Sequence, residues 1–194
     1  MSISQEEDKW NWLEEDNGKY SSKSLRGLLE NNRLPVDLNP MEWLRWIPLK
    51  VLCFVWRARL NRIANKVLLQ HRGVPMDSVE CSSCFGEIED TKHVLVKCPF
   101  ARTVWGRIGE WCGLEIDGNL EFRDLLDSTL CINQPTAKKR TIYTIFMATG
   151  WAIWKARNAF IFNGVRLSVE SVVDGVMVST YAWMKFRAKR KDVT

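Results

Sequence analysis

Residues 81–98 decide the fold of this chain, and they read CSSCFGEIEDTKHVLVKC. Two residues separate Cys81 from Cys84, eight separate Cys84 from His93, and four separate His93 from Cys98. Zinc takes three thiolates and one imidazole in tetrahedral structural sites, and a C-x2-C pair lets one backbone turn supply two ligands. The spacing therefore predicts one structural zinc ion, with all four positions filled and none open to a catalytic water.

Two other interpretations of these cysteines are weaker. A redox pair of the thioredoxin kind is disfavoured because no βαβ pattern surrounds Cys81 and Cys84. Four unrelated residues, two of them buried free thiols, would leave the regular spacing unexplained. Cys53, Cys112 and Cys131 each lie within an apolar helical pattern, so we expect them to be small buried core residues.

The composition is that of an ordinary folded domain. The chain has 194 residues, a formal net charge of +5, 46% hydrophobic residues and 26% charged ones, which excludes a disordered or collagen-like chain. The uncharged stretch from Thr141 to Trp154 has 14 residues, whereas a membrane helix needs about 20. The first residues, MSISQEEDKW, do not resemble a secretory signal. We therefore expect an intracellular protein, nuclear or cytoplasmic and not secreted, with no membrane partner and no small-molecule substrate.

The pattern of apolar residues predicts a mainly α-helical fold. Trp10, Trp12 and Tyr20 flank the turn signal at residues 16–18, which predicts a small N-terminal β-hairpin over residues 9–21. Helical spacing, caps and breakers predict helices over residues 22–30, 48–63, 65–71, 99–112, 119–130, 136–162 and 168–189. The last two are the longest. The helix over 136–162 is apolar on nearly all sides, so it is either buried or docks onto a partner.

Several further motifs accompany the metal ligands. They are the Trp10-x-Trp12 pair, GKYSSKS at residues 18–24, WLRWIPLK at 43–50, FVWR at 54–57, CPFA at 98–101 and WAIWKARNAFIF at 151–162. With the metal ligands, these motifs resemble the zinc-binding domain of plant reverse-transcriptase-like proteins of the non-LTR retrotransposon type. The resemblance implies a zinc-binding domain over residues 9–113 and a helical C-terminal region over 114–194 that is truncated before any RNase H-like domain.

The acidic residues do not form a polymerase or nuclease signature. Nucleotidyl transfer needs carboxylates that converge on divalent metal ions, and no Tyr-x-Asp-Asp occurs. Glu87, Glu89, Asp90, Asp124 and Asp127 lie in predicted loops or on an exposed helix face, where we expect solvated charges. The sequence therefore predicts no catalytic residue and no enzyme, although the parent family is RNA-directed DNA polymerase.

The leading functional hypothesis is an accessory nucleic-acid-binding or structural module, whose partner is RNA or DNA. Trp43 and Trp46 could stack on bases, and five nearby cations could contact phosphates: Arg57, Arg59, Arg62, Lys66 and Arg72. The alternative is a protein-interaction module, or an inactive retroelement remnant, that docks onto a polymerase domain or another protein through its apolar C-terminal helices. The basic run at residues 185–191 is most typical of a solvated helix end.

Overall fold

Helices make up the regular structure of the residues that the computed structural model describes, 11–33 and 41–188. Contacts divide the chain into two units, Met1–Pro40 and Met41–Thr194. The first unit contains α1 (Ser22–Arg33). The second contains α2 (Leu49–Arg59), α3 (Lys66–His71), a π-helical turn (His93–Lys97), α4 (Pro99–Cys112), α5 (Phe122–Cys131), α6 (Thr136–Asn163) and α7 (Val169–Arg187).

The predicted N-terminal β-hairpin is wrong. Residues 11–21 form a turn-rich loop that contains no strand, and Trp10 lies outside the described residues. The Trp12 N–H donates to the Gly18 carbonyl at 2.8 Å, but this bond closes a loop and does not begin a ladder. The physical reason is that a single two-stranded ribbon is marginally stable in water, and here the loop gains its stabilising contacts from the helix that follows it.

Aromatic and serine side chains tie this loop to the start of α1. The Trp12 and Tyr20 rings meet edge to face with centroids 5.2 Å apart, although no strands bring them together. The Trp12 indole N–H donates to Ser24 Oγ at 2.7 Å. Ser21 Oγ accepts the Ser24 backbone N–H at 3.1 Å, as an N-cap side chain does.

Most helices of the second unit begin and end near their sequence signals. Asn65 caps α3 by accepting the Leu68 N–H at 2.8 Å, and Ser168 caps α7. Gly113 and Gly164 end α4 and α6 with φ values of 66° and 68°, a left-handed backbone that glycine adopts without strain. There are two exceptions: the N-cap of α5 is Glu121, two residues later than predicted, and α2 ends at Arg59, four residues before the predicted end.

The long helix α6 forms the centre of the core. It packs against α2, α4, α5 and α7, and its residues 142–150 are all buried. Trp46 donates its indole N–H to Thr144 on α6 at 3.0 Å, and Trp105 of α4 meets Phe146 edge to face at 5.1 Å. Burial from several sides explains why α6 is apolar around most of its circumference. In the described part of the chain, no helix is both long enough and apolar enough to cross a membrane.

The prediction that Cys53 is a buried core residue of α2 is wrong. The buried side chains include Val51, Leu52 and Val55, whereas Cys53 is exposed and Trp56 is 46% exposed. Every third or fourth position of α2 is apolar on more than one face, so periodicity alone did not select the face that meets α6.

The prediction of buried cysteines outside the metal cluster is also wrong at a second position. Cys131, the last residue of α5, is exposed because the chain leaves the helix there. Only Cys112 is partly covered, and burial raises the pKa of its thiol to about 11. Cys112 therefore stays neutral near pH 7 and suits a small apolar role.

We expect Gly150→Ala in α6 to destabilise the protein. A Cβ at this position would lie 2.4 Å from Cζ of Phe122, which is itself buried on α5. Overpacking of this kind costs about 1–3 kcal/mol. The matched control is Gly175→Ala in α7, where a Cβ meets nothing within 4 Å, so helix propensity should stabilise it by up to about 1 kcal/mol. Chemical unfolding curves of both variants measure the contrast, and equal midpoints would contradict it.

Candidate metal centre

The four predicted ligands lie together in the second unit. One ligand atom from each of Cys81, Cys84, His93 and Cys98 lies within 4.8 Å of the others. Cys81 Sγ and Cys98 Sγ are 3.9 Å apart, and Cys84 Sγ is 3.3 Å from His93 Nε2. Zn–S bonds of about 2.3 Å give tetrahedral S···S edges of about 3.8 Å. The donor set and its spacing therefore fit one zinc ion.

A tight turn brings the first two thiols together. The Phe85 N–H donates to the Cys81 carbonyl at 2.9 Å, and Phe85 adopts a left-handed φ of 53°. The Cys81 N–H donates to the Glu87 carbonyl at 2.8 Å, next to an isolated antiparallel bridge between Glu80 and Ile88. These backbone bonds close the loop, and both thiols lie in one cluster.

The π-helical turn brings together the second two ligands. The Cys98 N–H donates to the His93 carbonyl at 2.7 Å, the five-residue step that defines a π turn. Asp90 accepts the His93 N–H at 2.6 Å and so anchors the start of this segment. Cys98 is also the N-cap of α4, where the positive end of the helix dipole favours a thiolate. A regular α-helix would place residues 93 and 98 on different faces.

Glu87 orients the histidine ring, and the sequence analysis missed this role. Its Oε2 lies 3.0 Å from His93 Nδ1, while His93 Nε2 faces the thiol of Cys84. A carboxylate on one imidazole nitrogen fixes the tautomer that leaves the other nitrogen free for a metal. Glu87 is otherwise an exposed loop acid, so its residue type and position alone did not distinguish it from a solvated charge.

The two buried thiols are coupled through a shared proton. The hydrogen bond with Cys98 lowers the pKa of Cys81 to about 4, and burial opposes this shift. The same hydrogen bond, followed by burial, raises the pKa of Cys98. Because zinc binds thiolates, a zinc ion in this cluster would take the place of the proton between Cys81 and Cys98.

A buried ion pair connects the metal loop to α6. Glu89 has no exposed surface and its Oε1 accepts from Arg157 Nη2 and from the Lys66 backbone N–H. The Arg157 guanidinium also lies 4.9 Å from the centre of the Trp154 ring. The expectation that Glu89 is a solvated charge is therefore wrong, because removal from water requires the partner that α6 supplies.

The predicted phosphate-contacting residues lie in different environments. Arg59 is 5% exposed and forms a two-pronged ion pair with Asp127, so Asp127 is not a solvated charge either. Trp46 is also buried. Lys66 is half-buried, with its Nζ donating to the Glu80 carbonyl at 2.7 Å. The side chains that face solvent are Trp43, Arg57, Arg62 and Arg72.

A cluster of three cysteines and one histidine inside a helical core defines a zinc-binding class of protein. Residues 20–105 match the family model described as zinc-binding in reverse transcriptase, and this stretch contains all four ligands. The match confirms the resemblance to the zinc-binding domain of reverse-transcriptase-like proteins, and zinc is the cofactor that the cluster can hold. No curated protein and no solved structure shows a significant match to the chain.

We expect Cys84→Ser to release the metal. The serine hydroxyl is a poor zinc ligand, so metal content after washing with a chelator should fall from one zinc per chain towards none. Hydrogen exchange should accelerate across residues 76–112 more than in α6 and α7. The control is Cys53→Ser, which changes an exposed thiol outside the cluster. Elemental analysis decides the assignment, and unchanged zinc in Cys84→Ser would refute it.

We expect Glu87→Ala to weaken zinc binding without abolishing it. Loss of the carboxylate frees the His93 ring to change tautomer and orientation, and such outer partners contribute roughly 10- to 100-fold in metal affinity. Glu87→Gln keeps an oxygen acceptor and should recover part of the loss. Glu115→Ala, also an exposed acid, is the control. Competition with a chromophoric chelator measures all three affinities, and equal values for Glu87→Ala and Glu115→Ala would exclude the orienting role.

Proposed function

We propose that this chain is a non-catalytic, zinc-stabilised accessory domain of a reverse-transcriptase-related protein, and that it contacts nucleic acid through the outer face of α2. The observation that carries this proposal is the exposed Trp56 beside the exposed Arg57 on a helix whose opposite face is buried. The C-terminal helices support the domain because α6 and α7 pack against the elements that bear the ligands.

The α2 outer face consists of Leu49, Lys50, Cys53, Trp56 and Arg57, all exposed. These residues recur at three- and four-residue steps, so they lie along one side of the helix. Single-stranded nucleic acid binds to surfaces where aromatic side chains lie beside cations, because the bases stack on the rings and the phosphates contact the charges. Trp56 is 46% exposed and shares this face with the exposed Leu49 and Cys53, so the apolar surface is a patch and not a single side chain.

The turn after α2 extends this basic surface. Asn61 adopts a left-handed φ of 53°, and the Arg62 N–H donates back to the Arg57 carbonyl at 2.8 Å. Arg57 in turn donates from Nη2 to the Arg62 carbonyl at 3.3 Å. The Arg57 guanidinium is thereby held against the backbone of Arg62 at the end of the helix. Both arginines are exposed there, so both can contact phosphates.

The surroundings of the carboxylates support a non-catalytic role. Glu87 faces His93, Glu89 pairs with Arg157, and Asp127 pairs with Arg59. Within residues 11–33 and 41–188, the Cys81–Cys98 cluster is the one group of metal-ligating side chains that could hold an ion. Since its four positions belong to protein ligands, the zinc supplies structure and no site for a reacting water.

We expect the double variant Arg57→Gln/Arg62→Gln to bind single-stranded RNA and DNA more weakly, with a similar loss for different sequences. Removing two phosphate contacts should make the slope of log K against log salt less negative by about 1.4. Trp56→Ala should lower affinity with little change in that slope, because stacking releases no counterions. Fluorescence anisotropy at several salt concentrations measures both quantities.

The matched control for these variants is Lys138→Gln, an exposed cation at the start of α6 and away from α2 in sequence. It should leave affinity and slope unchanged within error. Equal losses in Lys138→Gln and in the arginine pair would indicate a diffuse field and would contradict a defined face.

A second candidate function is docking onto a protein. The observation that favours it is a set of exposed apolar side chains on the outer side of α7, namely Val178, Tyr181 and Phe186. The centre of α6 is covered by the chain's own helices, so this alternative depends on α7. Salt separates the two functions, since phosphate contacts weaken steeply with ionic strength and apolar docking does not.

A further inference from the structure

A cavity of about 120 Å³ lies between the metal loop and the end of α6. Ser83, from the turn between the first two ligands, contributes to its wall, as do Phe100 of α4 and Arg157 and Phe160 of α6. Arg166, in the connection to α7, completes the polar lining. We propose that this cavity binds a phosphate group. It would be a third binding site, in addition to the zinc cluster and the α2 outer face.

Arg157 offers a buried donor that lacks a partner. The residue is 7% exposed, and its Nε has no hydrogen-bond partner among the described residues. Its other contacts hold the guanidinium in place, since Nη1 donates to Asn158 Oδ1 at 3.0 Å and Nη2 donates to Glu89. A buried N–H of a charged group is costly when it stays unpaired, so an acceptor in the adjoining cavity would satisfy it.

Arg166 supplies a second guanidinium at the same cavity. Its guanidinium carbon lies 4.4 Å from the centre of the Phe160 ring, and this cation–π contact keeps the charge beside the cavity wall. Glu89, which neutralises one of the two arginines, is fully buried and does not line the cavity. The lining therefore carries a net positive charge, with the Ser83 hydroxyl as a further donor.

These features fit a phosphate group. A single water needs only about 10–15 Å³, so the cavity admits a group of several heavy atoms. Guanidinium groups bind phosphate oxygens through paired, charge-assisted hydrogen bonds. A phosphate can reach the cavity as part of a nucleic acid or as a free ion, and the chemistry of recognition is the same for both sources.

The test is a titration of the full-length, zinc-loaded protein with inorganic phosphate, followed by amide NMR shifts and by calorimetry. We expect saturable shifts at residues 83, 160 and 166. Arg166→Gln should weaken binding by roughly tenfold or more, because it removes a charged donor from a surface position, and Ser83→Ala should weaken it less. The matched control is Arg107→Gln, an exposed arginine of α4 that is not among the lining residues.

Short oligonucleotides then identify the source of the phosphate. Competition by a 5′-phosphorylated strand alone indicates a terminal phosphate, competition by the 5′-hydroxyl strand as well indicates the backbone, and competition by neither indicates the free ion. Non-saturable shifts, or equal affinity in Arg166→Gln and the native chain, would overturn the proposal. Arg57 and Arg62 do not line this cavity. The phosphate titration therefore tests the cavity separately from the nucleic-acid binding that the double variant Arg57→Gln/Arg62→Gln tests.

Discussion

Three thiols and an imidazole that converge within 4.8 Å impose the main constraint on this fold. Sulfur atoms this close cannot all ionise without a cation between them, because like charges at such distances repel strongly. The turn at Cys81–Cys84 and the π turn at His93–Lys97 bring these groups together. The loop between them, residues 85–92, has little other regular structure. Metal coordination would therefore stabilise this segment, as apolar packing stabilises the helices.

The metal loop and the helical core are joined by polar contacts as well as apolar ones. Glu89, four residues before the histidine ligand, is held by Arg157 from the centre of the molecule. Trp105 of α4 donates its indole N–H to the Leu95 carbonyl within the π turn at 2.7 Å, so a residue of the core also fixes the backbone between two ligands. Loss of the metal should therefore loosen the metal loop and α4 most, and these contacts should pass a smaller effect on to the rest of the core.

The sequence allowed prediction of the parts that obey local rules. The ligand spacing, the cap at Ser168 and the glycine after α4 each depend on a few neighbouring residues. The hairpin failed because a strand needs a partner strand, and residues 11–21 pair with none in the described part of the chain. The exposure of Cys53, the burial of Glu89 and the Arg59–Asp127 ion pair were not predicted, for another reason. Each is decided by a helix more than sixty residues away in the chain. The π turn could not be predicted from the sequence. It is only five residues long, and a pattern of apolar residues cannot repeat within so short a segment.

The six cysteines differ in exposure, so their reactivity reports whether the metal site is occupied. Cys53 and Cys131 are open to reagents, Cys112 is shielded and held neutral, and the remaining three belong to the metal cluster. Alkylation is a reaction of free thiolates. In the zinc-loaded protein the exposed pair should react first, and the cluster thiols should become available as the ion leaves. The rate at which a mild alkylating agent consumes thiols would then measure metal occupancy directly, without a probe attached to the protein.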